Sequence, residues 1–183
     1  MDNNFIKKTS IPGLLILERP TFEDERGFFR EVFHLDELEK ESGVKFDLAQ
    51  WNHSRSKPGV LRGLHAENWN KLVYCVVGQM FTAIVDLRIH EETFGKVETF
   101  TIGEGNRVAL FIPKGLANSV CTVGESDVDY IYLVDSYYDG SDTTAVSWDD
   151  PDLRISWPVE NPIISDRDKN NPKLRELFPE KFK

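Results

Sequence analysis

The chain is cut into short segments rich in β-branched and aromatic residues, with Gly, Pro, Asn or Asp between them. This punctuation restricts the fold more than any other feature. Such segments cover residues 14–17, 28–33, 47–53, 60–64, 71–77, 81–87, 96–102, 107–112, 120–123, 128–134 and 145–148. Stretches such as "MFTAIVDLRI" mix alternation with short apolar runs, as strands buried on one face or both do. Many short strands at this spacing build a sandwich or a barrel. Helical patterns are confined to "HLDELEKESG", with early acidic residues and a glycine stop, and to "NPKLRELF" near the end. The sequence therefore predicts a mainly β protein, a jelly-roll β-sandwich with short helices near its N- and C-terminal ends.

A length of 183 residues suits a single domain, 1–183, with room for a sizeable core. No apolar run approaches the ~20 residues that span a bilayer, and the opening "MDNNFIKKTS" has no apolar signal region. A cytoplasmic protein with no membrane partner is expected. The formal net charge of −9 argues against nucleic acid as a partner, which would need a basic surface. It leaves room for a phosphate-bearing small ligand, since a few local arginines suffice. Cys75 and Cys121 lie far apart in apolar surroundings, which predicts buried free thiols rather than a disulfide.

The stretch "RSKPGVLRGLHAE" departs from the strand pattern. Val60-Leu61 begins a strand, yet Arg62 and His65 follow, and both are costly to bury without partners. They either face water at a rim or line a pocket. Lys71 comes six residues after His65, across a turn expected at 66–70, so three cationic or protonatable groups converge near one hairpin end. Metal-binding cupin jelly rolls carry a second His two positions after the first and another after a P-x-G turn. Here Ala66 and Glu67 follow His65, and Asn118 follows "IPKG" where the late His would stand. A transition metal wants those imidazoles, so no metal site is expected.

Three further motifs can carry chemistry. "DERGFFRE" sets Arg26 and Arg30 around two phenylalanines, a good clamp for a phosphate and a base. "YLVDSYYDG" ends a strand in paired tyrosines, and a phenol held in a pocket can act as a general acid. "ISDRD" carries two late aspartates, one of which can orient a histidine.

Taken in order and spacing, "DERGFFRE", "QWNHSRSKPGVLRGLH", "KLV" with Gly78, "VDLR", "TFGK", "IPKG", "WDDPDLRISWP" and "ISDRD" resemble the dTDP-4-dehydrorhamnose 3,5-epimerase family over nearly the whole chain. The resemblance implies a cupin-like jelly roll without metal or other cofactor, and a homodimer with N-terminal strands exchanged between subunits. It implies a substrate such as dTDP-4-dehydro-6-deoxy-D-glucose, on a route to L-rhamnose or another deoxysugar. His65 is then the base, Asp168 its orienting partner and Lys71 the cation at the C4 oxygen. Tyr138 best matches the acid by spacing, with Tyr137 as the other possibility. On a strand only one of the pair would face the pocket. Arg62 would bind the diphosphate. Arg26, Phe29 and Glu31 would reach the nucleotide, Arg26 from the other subunit, while Gln50 and Asn52 would face the pocket together.

The chain departs from the family where RGLH continues as "AENWN" instead of Tyr-Gln and prolines, where "ANS" replaces "AHG" so that Asn118 takes a pocket histidine's place, and where "YYDG" lacks a proline. The alternatives are an epimerase acting at C3 or C5 alone, one acting on a GDP- or CDP-linked sugar, and a non-catalytic sugar-nucleotide binding protein. Retention of both a base and an acid argues against the last.

Overall fold

A computed structural model describes residues 5–139 and 144–182. In chain order its strands are β1 (Ile6–Lys8), β2 (Leu15–Leu17), β3 (Phe22–Asp24), β4 (Gly27–Phe29), β5 (Gln50–Ser56), β6 (Leu61–Ala66), β7 (Lys71–Val77), β8 (Gln79–Asp86), β9 (Val97–Gly103), β10 (Ala109–Ile112), β11 (Leu116–Val123), β12 (Val128–Val134) and β13 (Thr144–Ala145). The helices are α1 (Leu35–Ser42), α2 (Asp166–Lys169) and α3 (Leu174–Leu177), followed by a 3₁₀ turn at Pro179–Phe182.

Two antiparallel sheets form the sandwich. One has the order β1-β2-β10-β7-β12-β5, the other β13-β6-β11-β8-β9, and β3-β4 is a separate hairpin. The near-continuous apolar runs of β7 and β10 are explained by burial on both faces. Val73, Cys75, Leu110 and Ile112 point inward to meet Met80, Ile84, Leu116 and Val120 of the opposite sheet. Their neighbours Leu72, Tyr74, Ala109 and Phe111 point outward and pack under Leu38 of α1 and Phe46. The outer face of the five-stranded sheet, with Leu64, Val85 and Ala117, is covered by Leu153, Leu174 and the partly buried Phe178.

The expected jelly roll is what forms, and the element boundaries move for physical reasons. The segment 28–33 pairs only as far as Phe29, because its partner β3 is three residues long. The strand expected at 120–123 starts at Leu116: Ala117, Asn118 and Ser119 look like turn residues but are small enough to be buried between two neighbouring strands. The segment 145–148 contributes only Thr144–Ala145 to a sheet. Helix α1 stops where expected, with Gly43 in the left-handed region (φ 68°) and its N–H donating to the Glu39 carbonyl at 2.9 Å. Cys75 and Cys121 are buried free thiols, both pushed up to about 11 chiefly by burial. No helix among the described residues is long and apolar enough to cross a membrane.

Leu38 is fully buried and joins α1 to the outer face of the six-stranded sheet. Leu38→Ala is expected to lower stability by ~2–5 kcal/mol, as other core truncations of leucine do. Urea unfolding measures it, and a near-zero change would mean that α1 does not depend on this contact.

Candidate active site

At one end the core gives way to a pocket of about 520 Å³ between the sheets. Arg62 and His65 line it from β6, Asn118 and Val120 from β11, Lys71 and Val73 from β7, and Tyr130 and Tyr132 from β12. Ser54 and Glu67 also reach it, and the segment carrying Arg167 and Asp168 closes one side.

Residues three apart on a regular strand point to opposite faces, so Arg62 and His65 should not share a wall. They do because β6 is bulged. His65 pairs with Asn118 and Arg62 with Val120, so three residue steps on β6 match two on β11. Gly63 sits inside the bulge at φ 122°, and a Cβ there would lie 2.8 Å from the Asn118 carbonyl oxygen and from Ser119 Cα. Only glycine fits that approach.

The same bulge meets Asp168. Its Oδ1 is 2.7 Å from His65 Nε2, and its Oδ2 accepts from the Gly63 N–H at 3.2 Å. Asp168 is 3% exposed and sits in α2, where its own N–H donates to the Ser165 hydroxyl at 3.1 Å. Burial acts to raise its carboxyl pKa, but the His65 and Gly63 hydrogen bonds and the nearby positive charge outweigh that and leave it below its ordinary value. An ionised carboxylate only accepts, so Nε2 of His65 carries a proton in this pair, and Nδ1 is the nitrogen left for other partners.

Lys71 is 6% exposed, with its Nζ 2.7 Å from Glu67 Oε2 and 2.8 Å from Asn118 Oδ1. The same Nζ lies 5.1 Å from the centroid of the Tyr132 ring. Tyr132 stacks on Tyr130 with centroids 6.0 Å apart. Burial pushes the Tyr132 phenol up, Tyr130 and Glu67 add to this, and Arg62 opposes it, so the hydroxyl holds its proton at neutral pH. Arg62 donates from Nε to the Ser56 hydroxyl at 3.0 Å.

Of the residues singled out in the sequence, His65, Lys71, Asp168, Arg62 and Asn118 come together here. Gln50 and Asn52 sit outside the pocket lining, on the same face of β5 as Ser54, and share a 2.6 Å hydrogen bond. Tyr137 and Tyr138 follow the end of β12 at Val134, so strand alternation does not sort them as expected. They are 72% and 57% exposed, and neither lines the pocket. Tyr138 instead packs edge-on against Trp69 and donates its backbone N–H to Gln50 Oε1. Gly140, the last residue of that motif, lies outside the described residues. Arg26 and Phe29 belong to the β3-β4 hairpin and its turn, away from the pocket, and Glu31 pairs with Arg19 at 3.0 Å. The sequence reading missed Tyr132 and Glu67. Tyr132 was legible as the i+2 neighbour of Tyr130 on an alternating strand. Glu67 stands in what looked like a solvated turn.

Among the described residues, no group of three or more His, Cys, Asp or Glu side chains is gathered as metal ligands are. The His65 imidazole on one sheet, paired with the Asp168 carboxylate of α2, faces the Tyr132 phenol and the paired Lys71 ammonium on the other, an arrangement suited to proton transfer in a jelly-roll enzyme. The family model described as dTDP-4-dehydrorhamnose 3,5-epimerase matches residues 8–176, and the chain belongs to that family. It is 40% identical over 171 residues to the Shigella flexneri dTDP-4-dehydrorhamnose 3,5-epimerase, covering 91% of this chain and 94% of that protein. The Legionella pneumophila dTDP-6-deoxy-D-glucose-3,5-epimerase, solved with dTDP-4-keto-L-rhamnose, superposes with a TM-score of 0.88 at 34% identity, over 96% of this chain and 95% of that one. NovW, a 4-keto-6-deoxy sugar epimerase from the novobiocin cluster of Streptomyces spheroides, gives 0.91 at 30% identity, over 96% and 90%.

Two outcomes follow from this geometry. Gly63→Ala should give a destabilised protein in which His65 no longer meets Asp168, seen as a lower melting temperature and lost activity; a stable, active variant would remove the bulge from the account. Because the folded Asp168 carboxyl lies below its unfolded value, its stabilising contribution is complete above the ordinary carboxylate range and is lost as pH falls through the lowered value. Urea midpoints measured from about pH 5 downward should therefore fall more steeply for the native protein than for Asp168→Asn, and parallel curves would contradict it.

Proposed function

We propose that the chain inverts C3 and C5 of dTDP-4-dehydro-6-deoxy-D-glucose by two rounds of proton transfer. The family assignment makes it an enzyme acting on a nucleotide sugar. The observation that carries the mechanism is the placement of His65 and Tyr132 on opposite sheets around one pocket.

The C4 ketone acidifies the hydrogens on C3 and C5. Nδ1 of His65 takes one of them, and the electron pair of the broken C–H bond moves into an enolate with its charge on the C4 oxygen. An N–H of Lys71 stabilises that oxygen, an electrostatic effect that is strong in a partly dry pocket. Tyr132 then delivers its proton to the carbon from the other face, and the centre is inverted. Proton return to Tyr132 and loss from His65 reset the site for the second carbon. Spacing favoured Tyr138 as the acid. Its exposure and its packing on Trp69 suit the rim better, with Tyr137, Gln50 and Asn52 beside it on the nucleotide side. Arg62 and Arg167 supply cations for the diphosphate.

In this reading residues 1–183 act as one epimerase domain in a cytoplasmic homodimer with exchange of N-terminal strands. Support for the dimer comes from exposed apolar surface: Phe22, Phe28 and Phe29 on the β3-β4 hairpin, and Trp51 and Val76 on the six-stranded sheet. Such surface is of the kind subunit interfaces cover. Arg26, Phe29 and Glu31 would then serve the partner's nucleotide site.

Incubation with dTDP-4-dehydro-6-deoxy-D-glucose in deuterated water, read by NMR, tests the reaction. Label at both C3 and C5 is expected, and label at one carbon alone would select a mono-epimerase. His65→Ala should lower exchange by roughly 10²–10⁴-fold without unfolding. Tyr132→Phe should lose inverted product by a larger factor than exchange, with Tyr138→Phe milder on both; the reverse order returns the acid role to Tyr138. Light scattering should report a dimer, and Trp51→Glu should shift it towards monomer.

A further inference from the structure

A lysine that stabilises an enolate must hold its ammonium in one place, yet its four-carbon stem is flexible and its three donors rotate freely. In this pocket two side chains remove that freedom. Glu67 Oε2 and Asn118 Oδ1 accept from Lys71 Nζ at 2.7 and 2.8 Å, and the Tyr132 ring lies against the same ammonium. The lysine side chain is 7% exposed and that of Glu67 14%, so this ion pair is shielded from water and from salt.

Both clamping residues are themselves well anchored. Glu67 stands at the start of the β6–β7 turn. Asn70 ties that turn down: its N–H and side-chain amide both donate to Asp135, at 2.9 and 2.6 Å, and its side-chain oxygen accepts from the Lys114 N–H at 3.2 Å. Asn118 is the cross-strand partner of His65. A single rung of the sheet thus sets the separation between the base and the ammonium.

We infer that Glu67 and Asn118 are positioning residues that fix Lys71 Nζ for the C4 oxygen, leaving one donor for the substrate. Glu67 also supplies the counter-charge that a buried ammonium requires. Removal of a proton from C3 and from C5 places charge on the same C4 oxygen. Loss of the clamp must therefore slow both carbons by one common factor. This inference rests on the role proposed for Lys71, and the variants are chosen to separate the two.

The test compares Glu67→Ala, Glu67→Gln, Asn118→Ala, Lys71→Ala and the Glu67→Ala/Lys71→Ala double variant in the full chain. The readouts are kcat, KM, dTDP affinity by calorimetry, and deuterium entry at C3 and C5. For Glu67→Ala we expect kcat and both exchange rates to fall together, on the order of 10²-fold, as a misplaced catalytic group does. Asn118→Ala should lower the same rates, and dTDP affinity should hold in both. Glu67→Gln keeps an acceptor oxygen and nearly the same shape but removes the counter-charge, and should recover only part of the loss. The double variant should be no slower than Lys71→Ala, because the clamp has nothing left to hold. If Lys71→Ala is crippled while Glu67→Ala keeps native kcat, the clamp is wrong and the enolate role stands. Unequal loss at C3 and C5, or lost dTDP affinity, also overturns the clamp. An active Lys71→Ala overturns both.

Discussion

The Asp168 carboxylate is the joint between the sandwich and its chemistry. One oxygen takes the His65 imidazole and the other takes the Gly63 N–H in the bulge that turns His65 inward. The two bonds fix a ring orientation and a backbone irregularity at once. A buried carboxylate without such partners would be driven to pick up a proton. With them it stays ionised, and its own short helix holds it through the Ser165 cap.

Two pairs divide the labour around the pocket. Asp168 of α2 orients the imidazole that β6 presents to the pocket. Across the pocket Glu67, from the β6–β7 turn, and Asn118, from β11, hold the Lys71 ammonium beside the Tyr132 phenol. His65 with Asp168 and Lys71 with Glu67 are paired within the protein before any ligand arrives, and Arg62 donates to the Ser56 hydroxyl and the Arg55 carbonyl. Charge that forms on a substrate during reaction therefore meets dipoles already in place, which is the economical way to stabilise a transition state.

Much of this was legible beforehand, and the misses have local causes. The jelly roll followed from segment length and turn residues, since apolar runs as short as β10, bounded by turn residues, suit strands better than helices. His65 and Lys71 stood out because charged groups interrupt apolar strands. Tyr132 was overlooked because two adjacent tyrosines at 137 and 138 drew the eye, although the strand ends before them. The shared wall of Arg62 and His65 could not be read from strand periodicity. It depends on one residue of slippage against β11, and nothing in the order of amino acids marks a bulge except an otherwise unexplained glycine.

The His65–Asp168 bond spans 103 positions of the chain. A ribosome makes His65 long before its partner, and domains form from the N-terminal side during synthesis. Every strand of both sheets precedes Asp168 in the chain, so the lysine, the phenol and the imidazole are all made before the carboxylate that orients the last of them. A message broken before the Asp168 codon loses more than the partner of His65, because Leu174 and Phe178, which cover the outer face of the five-stranded sheet, lie beyond it.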